Sequence, residues 1–403
     1  MTHFAVIGAG QAGASLVARL RKQGFDGQIT LIGAEPVPPY QRPPLSKKFL
    51  LGEMEEERLY LRPRAWYAEN DITLRLGDAV EALVPAAREI VLGGEVLRYD
   101  ALALTTGSVP RHLPAAIGGT LPGVFSVRGL PDIEAMAPHV RGGARALIVG
   151  GGYIGLEAAA VLAARGVQVT LVEMAERILQ RVAAPQTSDY FRALHQANGV
   201  KILESTGLEK LLGEQQVSGA VLSDGTHLDL DFVVVGTGIL PDERLAEEAG
   251  LRIENGIACD ATCRTSDAAI WAAGDCASFP HRGARLRLES VQNAIDMAEC
   301  AADNMMNQDK RTYDPKPWFW SDQYDVKLQI AGLSTGYDHI VTRRDDKGAR
   351  SHWYYAGAQL LAVDAMNDPR GYMVGKRLID AGKTADPAKV ADPAVDLKEL
   401  MKG

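Results

Sequence analysis

Cysteine is scarce in this chain and poorly placed for thiol chemistry. Only four occur in 403 residues, Cys259, Cys263, Cys276 and Cys300. None forms a C-x-x-C pair, so neither a disulfide scaffold nor iron–sulfur ligation is expected, and no metal site is predicted. Cys259 and Cys263, separated by three residues, could pair in principle. They precede the AGDCA strand, however, and all four thiols read as reduced, buried small hydrophobes. An excess of positive charge is also missing. Forty-three Lys and Arg face 51 Asp and Glu, a net charge of -8, which argues against a nucleic-acid-binding surface. No apolar run reaches the roughly 18 residues of a spanning helix, so no membrane segment is predicted. From His3 the chain runs straight into a strand, without the apolar stretch of a cleavable signal, and a soluble cytoplasmic protein is expected. No coiled-coil pattern appears, and the default expectation is a monomer.

What the chain has is repetition. With 46% hydrophobic residues it can bury a core and divide into two or three domains. The opening FAVIGAGQAGASLVARLRKQGFDGQITLIGAE predicts a strand over Phe4–Ile7, a glycine turn over 8–13, a helix over Ala14–Gln23 and a second strand over Ile29–Ile32 that ends near Glu35. Gly8 permits the tight turn, Gly10 lets a pyrophosphate approach the backbone, and Gly13 allows close helix–strand packing. The helix N-terminus favours the phosphates, and Glu35 is placed to bind a ribose diol.

The stretch IVGGGYIGLEAAAVLAARGVQVTLVE repeats every element. It has a strand over Ala146–Val149, Gly150, Gly152 and Gly155 in the turn with Tyr153 and Ile154 between them, a second strand over Val169–Val172, and Glu173. Each copy continues through a turn (Gly93-Gly94, Asp224-Gly225) to a strand closing on glycine, YDALALTTG to Gly107 and LDFVVVGTG to Gly238. Two intact copies imply two dinucleotides.

The copies differ in what surrounds them. PVPPYQRPPLSKKFL follows Glu35, and its prolines predict an extended loop that brings Arg42 and Lys47 to the first turn. DAAIWAAGDCA predicts a strand delivering Asp275 to a polyol chain, followed by a helix over Glu289–Met306 whose dipole favours negative charge on a reduced flavin. The first site therefore reads as an FAD site and the second as a site for a transient nicotinamide nucleotide. Glu173 would repel a 2′-phosphate, and Met174 and Ala175 supply no cation, which favours NADH. Arg177 and Arg181 either contact that nucleotide or are solvated.

These features resemble the two-dinucleotide-binding-domain flavoproteins, and within them the NADH-dependent ferredoxin reductases of bacterial haem monooxygenases and ring-hydroxylating dioxygenases. The stretches that carry the resemblance are the first fingerprint, YQRPPLSK, TTGS, GGGYIGLE, GTGILP, AGDCA, ESVQNAIDMA and PWFWSDQYDVKLQIAGL. The resemblance implies an α/β fold with two Rossmann-like dinucleotide-binding domains of the glutathione-reductase type and a C-terminal α+β domain. The FAD domain would comprise 1–110 and 240–315, the NAD domain 111–239, and the C-terminal domain 316–403. It further implies that Ala12, Glu35, Val80, Thr106, Gly107, Arg128, Asp275 and Val291 contact FAD, and that Lys47 lies near the flavin, paired with Glu157. Tyr153 is either an aromatic lid over the nicotinamide position or ordinary packing. Trp320 resembles the family's aromatic residue near nicotinamide and flavin, with packing as the alternative, and Trp318 reads as core.

The activity implied is hydride transfer from NADH to FAD and single-electron delivery to a 2Fe-2S ferredoxin. Disulfide reductases and NADH oxidases or peroxidases of the superfamily need a redox cysteine, and residues 1–258 contain none. A non-catalytic flavoprotein similar to apoptosis-inducing factor shares the FWSDQ-like stretch but would carry targeting segments or insertions. Arg282, Arg285 and Arg287, with Arg343 and Arg344, form a candidate docking patch for an acidic ferredoxin, or a solvated charge run.

Overall fold

A computed structural model describes residues 1–307, 311–346 and 348–402. The chain divides into two compact units. The first comprises 1–42, 54–109 and 239–317; the second comprises 43–53, 110–238 and 318–403.

Apolar, β-branched runs build a parallel five-stranded sheet in the first unit. Its order is Ile270–Ala272, Ala101–Leu104, His3–Ile7, Gln28–Gly33 and Ile72–Leu76. Ala101–Leu104 is buried throughout, as expected of a strand covered on both faces. The helix Gln11–Lys22 turns Ala12, Leu16, Val17 and Leu20 into the core and keeps Arg19, Arg21 and Lys22 in its last turn, where they complement the helix dipole. The helix Val291–Asn307 packs along it, and Arg19 Nε lies 2.7 Å from Asp303 across the pair.

The second unit contains a parallel sheet of the same kind, ordered Lys201–Leu203, Gln168–Val172, Arg145–Val149, Phe232–Val235 and Val124–Ser126. In both sheets the strand before the glycine turn lies between the strand after the helix and the closing strand. Each unit also carries a three-stranded antiparallel sheet in its crossover, and the Gly93-Gly94 and Asp224-Gly225 turns join strands within them. The duplication read from the sequence is therefore a duplication of topology.

The same unit includes a C-terminal antiparallel sheet. Its order is Trp318–Gln323, Val326–Gly332, Gln359–Met366, Arg350–Ala356 and His339–Arg344. The helix Pro369–Asp380, capped by the Asp368 carboxylate on the Gly371 N–H, covers it through Tyr372, Val374 and Leu378. No helix among the described residues is long and apolar enough to cross a membrane.

Candidate dinucleotide sites and the Lys47–Glu157 pair

Steric constraint explains the glycines of the first site. Gly8 has φ +111°, and a Cβ there would lie 2.1 Å from the Thr105 carbonyl; a Cβ at Gly13 would lie 2.1 Å from the Gly8 carbonyl. Gly10 is different, because a Cβ there would meet nothing within 4 Å. Gly10 is also the N-cap of Gln11–Lys22 and supplies no side-chain cap. The turn thus leaves room beside Gly10, and no N-cap side chain takes the first-turn N–H groups, which suits a pyrophosphate.

Other elements of the first unit converge on this turn. A Cβ on Gly274 would approach the Cβ of Ala12 to 3.1 Å and that of Ala294 to 3.8 Å. The adjoining Asp275 accepts from Ser108 Oγ at 3.0 Å, while its carbonyl accepts from Arg287 at 3.1 Å. Val291 is the first residue of the late helix, so its N–H stands among the orphan donors of that terminus. Thr106 donates to the Asp242 carbonyl at 2.5 Å, and the Gly107 carbonyl accepts from the Asp242 N–H at 2.9 Å. Val80 is buried, with its carbonyl 3.5 Å from Arg244. The Glu35 carboxylate accepts from Tyr40 at 2.6 Å and from Arg42 at 2.7 Å.

The loop after Glu35 is shared between the two units. Arg42 stays in the first unit as the partner of Glu35, whereas Lys47 belongs to 43–53 in the second. Arg128 likewise lies in the second unit, with its main-chain N–H on Asp132.

The second site repeats the first. Gly150 has φ +108°, a Cβ at Gly155 would lie 2.1 Å from the Gly150 carbonyl, and one at Gly152 would meet nothing within 4 Å. Gly152 is the uncapped N-cap of Tyr153–Ala164. Ile154 is 40% exposed in the first turn. Glu173 accepts from the Gly151 N–H at 2.7 Å and from the Ala175 N–H at 2.8 Å, which fixes the carboxylate beside the turn with a lone pair left on each oxygen for ribose hydroxyls. Gly238, at φ +102°, lies beside Arg181 and Arg111, so Arg181 stands at this site, while Arg177 is tied to Ser188 at 2.6 Å.

Within the same helix, Glu157 is buried and meets Lys47 at 2.8 Å. Its other oxygen accepts from Ser321 at 2.8 Å. Burial pushes the carboxyl above its ordinary value, against the pull of Lys47, Ser321 and the main-chain N–H of Asp322.

Strand alternation sorts the FWSDQ stretch. Phe319 packs on Tyr153 with ring centroids 4.9 Å apart, and Ser321 reaches Glu157, so this face looks toward the nucleotide helix. Trp318, Trp320 and Asp322 occupy the other face. Trp318 is half-buried against Trp320 at 5.6 Å, rather than core. The Tyr153 hydroxyl is buried without a partner among the described residues. Ser321 was missed by the motif reading, although the period-2 pattern of FWSDQ carried it.

The arginines of the candidate patch differ in their surroundings. Arg285 is held by the carbonyls of Cys259 (2.8 Å) and Ser278 (2.6 Å), and Arg343 by those of Asp392 (2.7 Å) and Val395 (2.7 Å). Arg287 binds Glu289 at 2.7 Å. Arg282 and Arg344 remain exposed.

All four cysteines are buried and free. Burial raises the Cys259, Cys263 and Cys276 thiols; Cys263 hydrogen-bonds Cys300, which is lowered by that bond. Cys263 thus meets Cys300, not Cys259.

Comparison with known proteins agrees with this geometry. Residues 2–298 match the family described as pyridine nucleotide-disulphide oxidoreductase, and residues 318–401 match the reductase C-terminal family. The chain is 40% identical to the 5,5′-dehydrodivanillate O-demethylase ferredoxin reductase subunit of Sphingobium sp., over 99% of both chains. It is 38% identical to putidaredoxin reductase of Pseudomonas putida, over 98% of this chain and 96% of that one. The reductase in the crystal structure of the covalent putidaredoxin reductase–putidaredoxin complex superposes with a TM-score of 0.95 at 37% identity, covering 100% of this chain and 98% of that one. The chain belongs to the pyridine nucleotide-disulphide oxidoreductase family, among its ferredoxin reductases.

Proposed function

We propose that the protein takes a hydride from NADH onto FAD and passes the electrons singly to a 2Fe-2S ferredoxin that serves an oxygenase. The observation that carries this reading is the pair of open, uncapped glycine turns, each with its own fixed carboxylate, Glu35 and Glu173. FAD, when bound, supplies the change from two-electron to one-electron chemistry.

The chain's own residues do the rest. Gly8, Gly10 and Gly13 cradle one pyrophosphate and Gly150, Gly152 and Gly155 the other. Asp275 and Glu35 hold polyol and ribose hydroxyls, and the N–H of Val291 offers a donor to developing negative charge. Lys47, held by Glu157, supplies a positive charge beside the nucleotide helix of the second unit, and Tyr153 and Trp320 are the aromatic residues beside the nicotinamide. Glu173 selects NADH, because a second phosphate would meet a carboxylate rather than a cation. The buried thiols have no part in the reaction, which separates this chain from disulfide reductases. We place the exchange in the cytoplasm, a reducing compartment that suits free thiols, and read the protein as a monomer. Ferredoxin docking is assigned to exposed arginines such as Arg282 and Arg344.

Anaerobic titration tests this reading. One NADH should bleach the flavin, and two equivalents of oxidised ferredoxin should then be reduced as the flavin colour returns, with alkylated and unmodified protein behaving alike. Loss of turnover on thiol alkylation of the native protein would refute it.

A further inference from the structure

Five hydrogen-bonding side chains lie end to end in the second unit. Ser321 Oγ is 2.8 Å from Glu157 Oε1, Gln323 Nε2 is 3.1 Å from Ser321 Oγ, His195 Nε2 is 2.8 Å from Gln323 Oε1, and Tyr324 Oη is 3.2 Å from His195 Nδ1. Ser321, Gln323 and His195 are each 0% exposed. The sequence separations from Ser321 to Glu157 and from Gln323 to His195 are 164 and 128 residues, so the chain exists only in the folded protein.

The direction of every bond follows from its inner end. The Glu157 carboxylate can only accept, so Ser321 gives it its one proton. Ser321 Oγ then accepts from the Gln323 amide, which turns the Gln323 carbonyl toward His195 and requires the proton on Nε2. Neutral His195 is left with Nδ1 as acceptor for the Tyr324 hydroxyl. Burial holds the imidazole below its ordinary value, in keeping with a neutral ring. All four bonds point the same way, and bonds aligned in this manner polarise one another.

We propose that Ser321, Gln323, His195 and Tyr324 are positioning residues that hold the Glu157 carboxylate ionised and directed at Lys47. The proposal rests on the reading of Lys47 and Glu157 as part of the electron-transfer centre. Without the Ser321 proton, which the other three residues orient, the buried carboxylate would bind a proton more readily and hold Lys47 less firmly.

The surroundings of Glu157 leave little else to set its charge. Lys47 faces it from the segment Leu45–Phe49, and Asp322, whose side chain is exposed, gives only its main-chain N–H. The strands Gln168–Val172 and Phe232–Val235 bring no titratable side chain, and Arg145 of the neighbouring strand is paired with Asp229 and Asp231.

The test is the protonation midpoint of Glu157 in the holoprotein, read by infrared difference spectroscopy with Glu157→Gln assigning the carboxyl band, beside the pH profile of flavin bleaching by NADH. Ser321→Ala removes one oxygen and should raise the midpoint by about one pH unit, roughly a tenfold gain in proton affinity for one lost bond to a charge. Ser321→Thr should restore it. Gln323→Leu should shift it less and Tyr324→Phe least, with the acidic limb of the bleaching profile moving by the same amounts. A wild-type midpoint in Ser321→Ala overturns the proposal, as does a loss of rate that is independent of pH and not rescued by threonine. If the midpoints stay put while Glu157→Gln slows bleaching, the chain fails and the role of the pair stands. If they move in order while Glu157→Gln bleaches normally, the chain stands and the role of the pair fails.

Discussion

Replacing Lys47 with methionine keeps most of the length of the side chain and removes its charge. The ammonium lies 2.8 Å from Glu157 Oε2, with side chains 17% and 11% exposed. At an effective dielectric of about 20 the gross attraction is about 6 kcal/mol. Much of that offsets desolvation already suffered by both ions, and removing one partner of such a pair costs about 3–5 kcal/mol because the other charge stays buried. The sign of the pH dependence identifies the cause. In Lys47→Met the folded-state pKa of Glu157 rises further above its unfolded value. Its contribution is then fully present below the unfolded pKa and is lost as pH rises through the folded one, so the deficit against wild type grows with pH. Urea unfolding of the holoprotein between pH 5 and 9 measures it, and adding Glu157→Gln should recover most of the loss at high pH. A deficit that is the same at every pH, and is not relieved by the second substitution, would refute the reasoning.

Other expectations follow from the same structure. Gly8→Ala forces a Cβ to 2.1 Å from the Thr105 carbonyl and should impair folding, whereas Gly10→Ala meets nothing and should fold normally while losing FAD, as read by thermal melts and bound-flavin absorbance. Glu173→Gln should lower the NADH:NADPH ratio of kcat/KM by about tenfold, since a like charge opposite a phosphate is removed. Asp364 is fully buried, accepts from Thr187 and Tyr354, and is pushed up to about 6 by burial. Its protonated form is favoured in the fold, so stability is fully present below about pH 4 and declines by about 3 kcal/mol as pH rises through 6. His352, lowered to about 4 mainly by burial, acts in the opposite sense over the same range. The difference between Asp364→Asn and wild type should therefore isolate the carboxylate, with the variant gaining relative Tm from pH 4 to 7.

The glycine turns were legible because their constraint is local. A strand, a positive-φ glycine and a helix start lie within a dozen residues, and the repeat announces itself. Contacts formed by distant segments were not legible in the same way. Arg285 and Arg343 read as a charged surface, yet they bind main-chain carbonyls of loops that no sequence pattern connects to them. Lys47 meets Glu157 of a distant helix, a pairing that the family resemblance implied and no local pattern carries. Between these cases lies Ser321: the alternation of FWSDQ separates Phe319, Ser321 and Gln323 from the tryptophans, but only the fold shows that His195 waits at the end of the row.

Electron delivery to ferredoxin is the central step. NADH-driven cytochrome c reduction by the purified protein, with and without a 2Fe-2S ferredoxin and with NADPH in a parallel series, tests it. Strong acceleration by ferredoxin and a marked preference for NADH are predicted. Rapid NADH consumption by oxygen or peroxide, unchanged by ferredoxin, would contradict the account.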